Sequence, residues 1–205
     1  MTAAVLQLAV NLLEPMGHGV GTLQAAAASL LERFRGALLT PLGVTSAGRT
    51  GLILAAYAPL ALGLGSYSGF LLAPWRWPPL GVLLRGSLPL LLMPALGEEL
   101  LFRVALLHHP PGAPDPWRFW AWGALNVGLF VLYHPLAALL WDRRQPAVFH
   151  DPRFLLQTAL LGVATTGLYQ VSGSLWPAVL LHAVAVLVWL ERLGGRQHLA
   201  VGPAG

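Results

Sequence analysis

Five side chains set in apolar stretches have the types and spacing to do chemistry: Glu98, Glu99, Arg103, His134 and His182. Glu98-Glu99-Leu100-Leu101-Phe102-Arg103 has the form E-E-x-x-x-R. On a helix Glu99 and Arg103 are four residues apart and can pair. Glu98 then points about 100° away from that pair. Two adjacent carboxylates with one arginine leave one carboxylate uncompensated, the condition of a general base. The alternative is a salt bridge at a membrane-facing helix end, because Pro94 and Gly97 precede the pair. His134 closes Phe130-Val131-Leu132-Tyr133-His134, and His182 follows Leu180-Leu181 in the last apolar run. Each histidine by itself fits a packing residue bonded to a neighbouring helix. Together with Glu98 they lie on three separate segments and can converge on one polar pocket. A Glu/His/His set also suits zinc. No H-E-x-x-H or H-x-x-x-H spacing supplies two ligands from one helix, so the expectation is a site without metal or cofactor.

Other polar residues are read as structural. His108-His109 precedes Pro110-Pro111 and fits an interfacial loop, while His150 and His198 fit a loop and a tail. Asn126 lies two turns before His134 and fits a hydrogen bond between packed helices. Ser172-Gly173-Ser174 reads as a turn, and a nucleophilic serine is not expected there.

The elements that must position these residues are membrane-spanning helices. Hydrophobic residues make up 56% of the 205 and charged residues only 10%, whereas a soluble domain carries about 25% charged residues. Mean hydropathy is +0.66. These values exclude a soluble globular enzyme and a disordered chain. All twelve basic residues are arginine and the formal charge is +4. No Lys/Arg-rich run exists, so nucleic acid is not an expected partner. Without cysteine or lysine there is no disulfide, thiolate metal site, cysteine nucleophile, Ser/Lys dyad or Schiff base.

The expected fold class is all-α, a polytopic transmembrane bundle of about five to six spans with a polar pocket between helices. No basic n-region leading into an apolar core opens the chain, so no secretory signal is expected. Residues 1–49 are mixed, with Glu14-Pro15, a glycine-rich stretch at 17–21, and Leu23 to Leu39 suited to an interfacial helix or a cytosolic cap. From Arg49 onward charges read as punctuation between spans. Thr50 to Trp75 is long enough to cross. Trp75-Arg76-Trp77 is an interface anchor followed by Pro78-Pro79. Further spans are read from about Val82 to Leu107, from Phe119 to Trp141 before Asp142-Arg143-Arg144, and at 154–171 and 175–190. The domains are thus 1–49, a membrane domain over 50–193, and a short flexible tail over 194–205. With five spans the arginine excess puts the C-terminus in the cytoplasm.

E-E-x-x-x-R on one span, F-x-x-x-H on the next and a Ser-Leu-Trp-Pro-x-x-x-x-His run opening a later one resemble the CPBP family. It comprises CAAX prenyl endopeptidases and bacteriocin-processing or Abi proteins, glutamic-type intramembrane proteases. The resemblance covers about residues 82–193. It implies an endopeptidase in which Glu98, with His134, activates water, Glu99 and Arg103 form a supporting pair, and His182 stabilises the oxyanion. It needs no cofactor, and its partners are membrane lipid and a peptide or membrane-protein substrate. In one place the sequence departs from the family: its last motif is commonly H-x-x-x-N or H-x-x-x-D, and here His182 is followed at that spacing by Val186. Losing one oxyanion donor costs about 10²–10³ in rate in other enzymes.

Rival intramembrane chemistries fit less well. Gly65-Ser66-Tyr67-Ser68-Gly69 has the wrong register for G-x-S-G, and Asp115, Asp142 and Asp151 fall in loops rather than spans. Two other classes stay open. One is a non-catalytic member of the same fold acting as an immunity, scaffold or peptide-binding protein, which Val186 favours. The other is a small transporter or proton relay, against which stand the small size and the lack of inverted repeats. Small size and all-arginine composition point to a bacterial plasma membrane.

Overall fold

The computed structural model describes residues 20–72, 78–107, 115–141 and 147–200, and every regular element in them is helical. Helix α1 spans Val20–Leu39 and α2 spans Val44–Tyr67. Helix α3 runs over Leu80–Ala105, α4 over Pro116–Trp141 and α5 over Pro152–Ser172. Helix α6 spans Trp176–Arg192, and a short α7, Gly195–Ala200, follows it. The helices α2 to α5 are each long and apolar enough to cross a membrane. With its 17 residues, α6 is at the short end of the spanning range. The protein is therefore an integral membrane protein built as an all-helical bundle.

Lipid replaces water as the solvent of this fold. Leu52, Leu60, Leu84, Leu88, Leu132 and Leu139 are all exposed. In water such a surface would be an aggregation hazard, and in a bilayer it is the solvated face. The most buried span is α5, which packs against α2, α4 and α6. Its start is fixed by Asp151, which caps it by accepting from the Arg153 amide at 2.8 Å, and by Pro152 in the first turn. Its end is fixed by Gly173 in the left-handed conformation (φ 67°), with its amide on the Tyr169 carbonyl. This is the turn expected at Ser172-Gly173-Ser174, and it reverses the chain into α6.

Two apolar clusters hold opposite ends of the bundle. At one end Ala37, Ala95, Val104, Tyr169, Leu175 and Val179 pack together. There α1 is tied down by Leu175 N–H donating to the Ala37 carbonyl, by Trp176 Nε1–H donating to the Leu38 carbonyl, and by Arg33 donating to the Leu107 carbonyl. At the other end Phe70, Val148 and Phe154 pack with Trp189 and Leu199.

The structure corrects two expectations. Charges do not delimit the helices: Arg49 lies inside α2, Arg85 inside α3 and Arg118 inside α4, all three exposed. The 49/50 boundary accordingly falls within a helix. A helix needs no apolar side chain at each position, and arginine extends its long stem to carry its charge out of the hydrocarbon. Nor is the segment after 194 a flexible tail throughout. Residues 195–200 form α7, because His198 stacks on Phe70 with centroids 4.8 Å apart and bonds its carbonyl at 2.9 Å. Outside the described residues lie the Trp75-Arg76-Trp77 anchor, His108-His109 with Pro110-Pro111, Asp142-Arg143-Arg144, and Glu14-Pro15 with the stretch at 17–19.

Candidate active site

Helix α3 is not a uniform α-helix, and its irregularity sits where the carboxylates are. Pro94 has no amide hydrogen and disfavours helical geometry in the residue before it. Met93 is accordingly extended (φ −143°, ψ 122°), and the helix kinks there. Beyond the kink, Leu100–Ala105 forms a wide π-helical turn, with the Leu106 amide reaching back five residues to the Leu101 carbonyl at 3.1 Å. Glu98 and Glu99 lie between these two features, and both are buried.

Glu99 faces into protein. Its Oε2 lies 3.2 Å from Arg103 Nε, and both side chains are completely buried. The guanidinium is held from every side. It donates to Thr165 Oγ1 from Nε at 3.1 Å and from Nη2 at 2.5 Å. It also donates to Asn126 Oδ1 at 3.2 Å and to the Gly162 carbonyl at 3.3 Å. The Phe130 ring lies 4.8 Å from the guanidinium carbon. Asn126 in turn donates to the Phe102 carbonyl at 2.8 Å, so the expected inter-helix hydrogen bonder ties α4 to α3. These hydrogen bonds to the guanidinium offset part of the several kcal/mol that each buried charge costs, while Glu99 Oε2 meets Arg103 as an ion pair without a hydrogen bond of its own. Gly162 makes it possible: a Cβ there would stand 3.1 Å from the Phe130 ring, so α4 and α5 could not approach as closely.

Glu98 faces the other way, as its 100° offset requires. Its Oε2 is buried and without a hydrogen-bond partner. His134 Nε2 lies 4.0 Å from it and His182 Nε2 3.8 Å. Both rings are oriented from behind. The His134 Nδ1 donates to the Phe130 carbonyl at 2.8 Å, and the His182 Nδ1 lies 2.8 Å from Glu99 Oε1. His182 thus stands between the two glutamates, one at each ring nitrogen. All five residues singled out from the sequence come together: Glu98, His134 and His182 around one point, Glu99 and Arg103 directly behind it.

The three converging groups line one side of a cavity of about 540 Å³ between α2, α3, α4, α5 and α6. Its walls are overwhelmingly apolar, with Leu54, Phe70, Phe154, Leu161, Val186 and Trp189 among them. Among the described residues no three His, Asp or Glu side chains adopt a metal-holding arrangement. Sequence reasoning passed over Thr158, Gly162 and Thr165 on α5. Their signal was present: hydroxyl and small residues at 158, 162, 165 and 166 line one face of an otherwise apolar span.

The fold and site define a class, polytopic membrane proteins with carboxylates and histidines gathered among their spanning helices. A family model described as type II CAAX prenyl endopeptidase, Rce1-like, matches residues 75–188, a stretch containing all five site residues. The chain belongs to this Rce1-like family, a family of proteases within the resemblance drawn from its motifs. No curated protein matches the chain, and no solved structure does.

Proposed function

We propose that this protein is an intramembrane endopeptidase of glutamic type, hydrolysing a peptide bond of a membrane-associated peptide or protein. The observation that carries the reading is Glu98 Oε2, buried, without a hydrogen bond, and 3.8–4.0 Å from two histidine nitrogens at the wall of an apolar cavity. Those separations are too long for direct hydrogen bonds and match groups that share one water. In the hydrolysis Glu98 takes one proton from that water while His134 Nε2 accepts a hydrogen bond from the other. The water oxygen bonds to the peptide carbonyl carbon, and the carbonyl electron pair moves onto oxygen. His182, held by Glu99, faces that oxygen and donates to it when its ring carries both protons. The oxyanion then collapses and the C–N bond breaks. The proton held by Glu98 passes to the leaving amine, and the products are a carboxylic acid and an amine. Neither a nucleophilic side chain nor a cofactor enters the scheme.

The test is cleavage of a library of internally quenched membrane peptides, a prenylated CAAX peptide among them, by purified protein. Wild type should cleave with or without chelator, and Glu98→Ala and His134→Ala should not. Activity lost on chelation would move the same residues to metal chemistry. Val186, which lines the cavity one turn beyond His182, favours a second reading, a non-catalytic peptide-binding or immunity protein of the same fold. A folded wild type that cleaves nothing but still binds a peptide would establish that one. The arginine distribution supports a cytoplasmic C-terminus, and small size with all-arginine composition suits a bacterial plasma membrane.

A further inference from the structure

We propose that the Thr158 hydroxyl supplies the hydrogen bond to the oxyanion that Val186 cannot give; the assignment rests on the endopeptidase reading above. A backbone carbonyl only accepts, so the 2.8 Å contact to Phe130 puts a hydrogen on His134 Nδ1. Glu99, paired with Arg103, likewise accepts from His182 Nδ1. In their neutral forms both rings therefore turn a lone pair, not a donor, toward Glu98. The Glu98 carboxylate is an acceptor as well. The groups nearest the reacting point offer the oxyanion a single donor, conditional on a second proton on His182, and Val186 adds none.

Thr158 stands in the right place. On α5 it lies one turn after Phe154, whose ring packs against His134 at 5.5 Å, and one turn before Gly162, whose place is against Phe130. The chain reverses between α4 and α5, so Thr158 lies opposite the Phe130–His134 turn. It is buried at 6% exposure and lines the same cavity as Glu98, His134 and His182. Its hydroxyl is also unspent. Thr165 and Thr166 bond the Gly162 carbonyl, the usual habit of a helical threonine. Thr158 makes no such bond to any described residue, so its hydroxyl is free to turn into the cavity. The other side-chain donors in the lining sit elsewhere: the Gln157 amide donates to the Ala61 carbonyl, Tyr57 belongs to α2, which carries none of the five site residues, and Trp189, whose ring nitrogen is also unpartnered, is seven residues beyond His182, about 10 Å along α6.

The experiment measures kcat and KM separately on a library peptide that wild type cleaves, with Glu98→Gln run in parallel. Thr158→Val keeps the shape and removes the donor, and should lower kcat about 10²-fold with little change in KM. Thr158→Ser should keep most of the activity. Adding Val186→Asn to Thr158→Val restores a donor from α6 and should recover part of the loss. If valine prevents folding, judged by the thermal transition in detergent, Thr158→Ala takes its place in the comparison. Unchanged kcat in a folded Thr158→Val, with Glu98→Gln inactive, overturns this assignment and leaves the endopeptidase reading standing. A wild type that cleaves nothing, or cleavage that survives Glu98→Gln, overturns both.

Discussion

Glu98 and Glu99 are neighbours in the chain with opposite energetic roles. Glu99 and Arg103 are a completely buried pair whose hydrogen bonds are supplied by Thr165, Asn126 and Gly162. Removing one member leaves the other charge buried and unpaired, at a cost of about 3–5 kcal/mol. Glu99→Ala and Arg103→Ala should therefore lower the thermal midpoint in detergent severely, and the double variant should cost less than the two single losses summed. Glu98 has no such partner, and its Oε2 is an unsatisfied buried atom. Glu98→Gln should leave the thermal midpoint equal to or above that of wild type while cleavage falls by roughly 10²–10⁴, the usual contribution of a general base. Thermal unfolding and peptide cleavage on the same preparations separate the two roles. A midpoint for Glu98→Gln as low as that of Arg103→Ala would mean that Glu98 is structural.

The elements are arranged so that irregular backbone falls where chemistry is proposed. The kink at Met93 and the wide turn beyond it carry Glu98 and Glu99, whereas α5 behind them is regular and firmly capped. That cap makes a pH prediction. The Arg153 side chain beside Asp151 holds its carboxyl below the usual carboxylate range. A carboxylate whose folded pKa is depressed stabilises the fold fully above its unfolded value and loses that contribution as pH falls through the folded one. Asp151→Ala should cost about 1 kcal/mol at neutral pH, and Asp151→Asn much less. The gap between wild type and Asp151→Asn should begin to close as the pH falls below about 4, the ordinary carboxylate value, and vanish only below the depressed folded value, where the wild-type carboxyl is protonated. Thermal melts of the three proteins at neutral and acid pH check this.

At the scale of the whole molecule, α7 and the segments around Phe70 and Val148 meet at one end, and the α5–α6 turn meets α1 at the other. The four helices α2 to α5 are long and apolar enough to cross a membrane, and the 17-residue α6 as a fifth crossing fits that arrangement. Arg153 and Arg196 lie at the α7 end, and Arg33 and Arg35 at the opposite one. A reporter fused after residue 205 should be active only in its cytoplasmic form, and the protein should stay with membranes through an alkaline wash. Activity of the periplasmic form would reverse the orientation without altering the bundle.

Much of this protein is legible in its sequence because the membrane imposes few solutions. Low charge and long apolar runs demand spanning helices, and an ionisable residue inside a span is expensive enough to stand out. Glu98, Glu99, Arg103, His134 and His182 are visible for that reason, and so is the turn at Gly173. Helix ends are less legible, because arginine can leave the hydrocarbon without the helix stopping, so a charge does not mark a boundary. The fate of residues 195–200 was hidden too, since it depends on stacking against Phe70, far away in sequence. Only the tertiary structure decided which nitrogen of each histidine faces Glu98, because the Phe130 carbonyl and Glu99 fix the rings through contacts no spacing encodes. It likewise decided that Thr165, Asn126 and Gly162 hold Arg103, and that Thr158 lines the cavity. Uncharged hydroxyls and glycines cost a membrane little, so they leave a faint mark on the sequence, and their roles arise from what the packed helices place beside them.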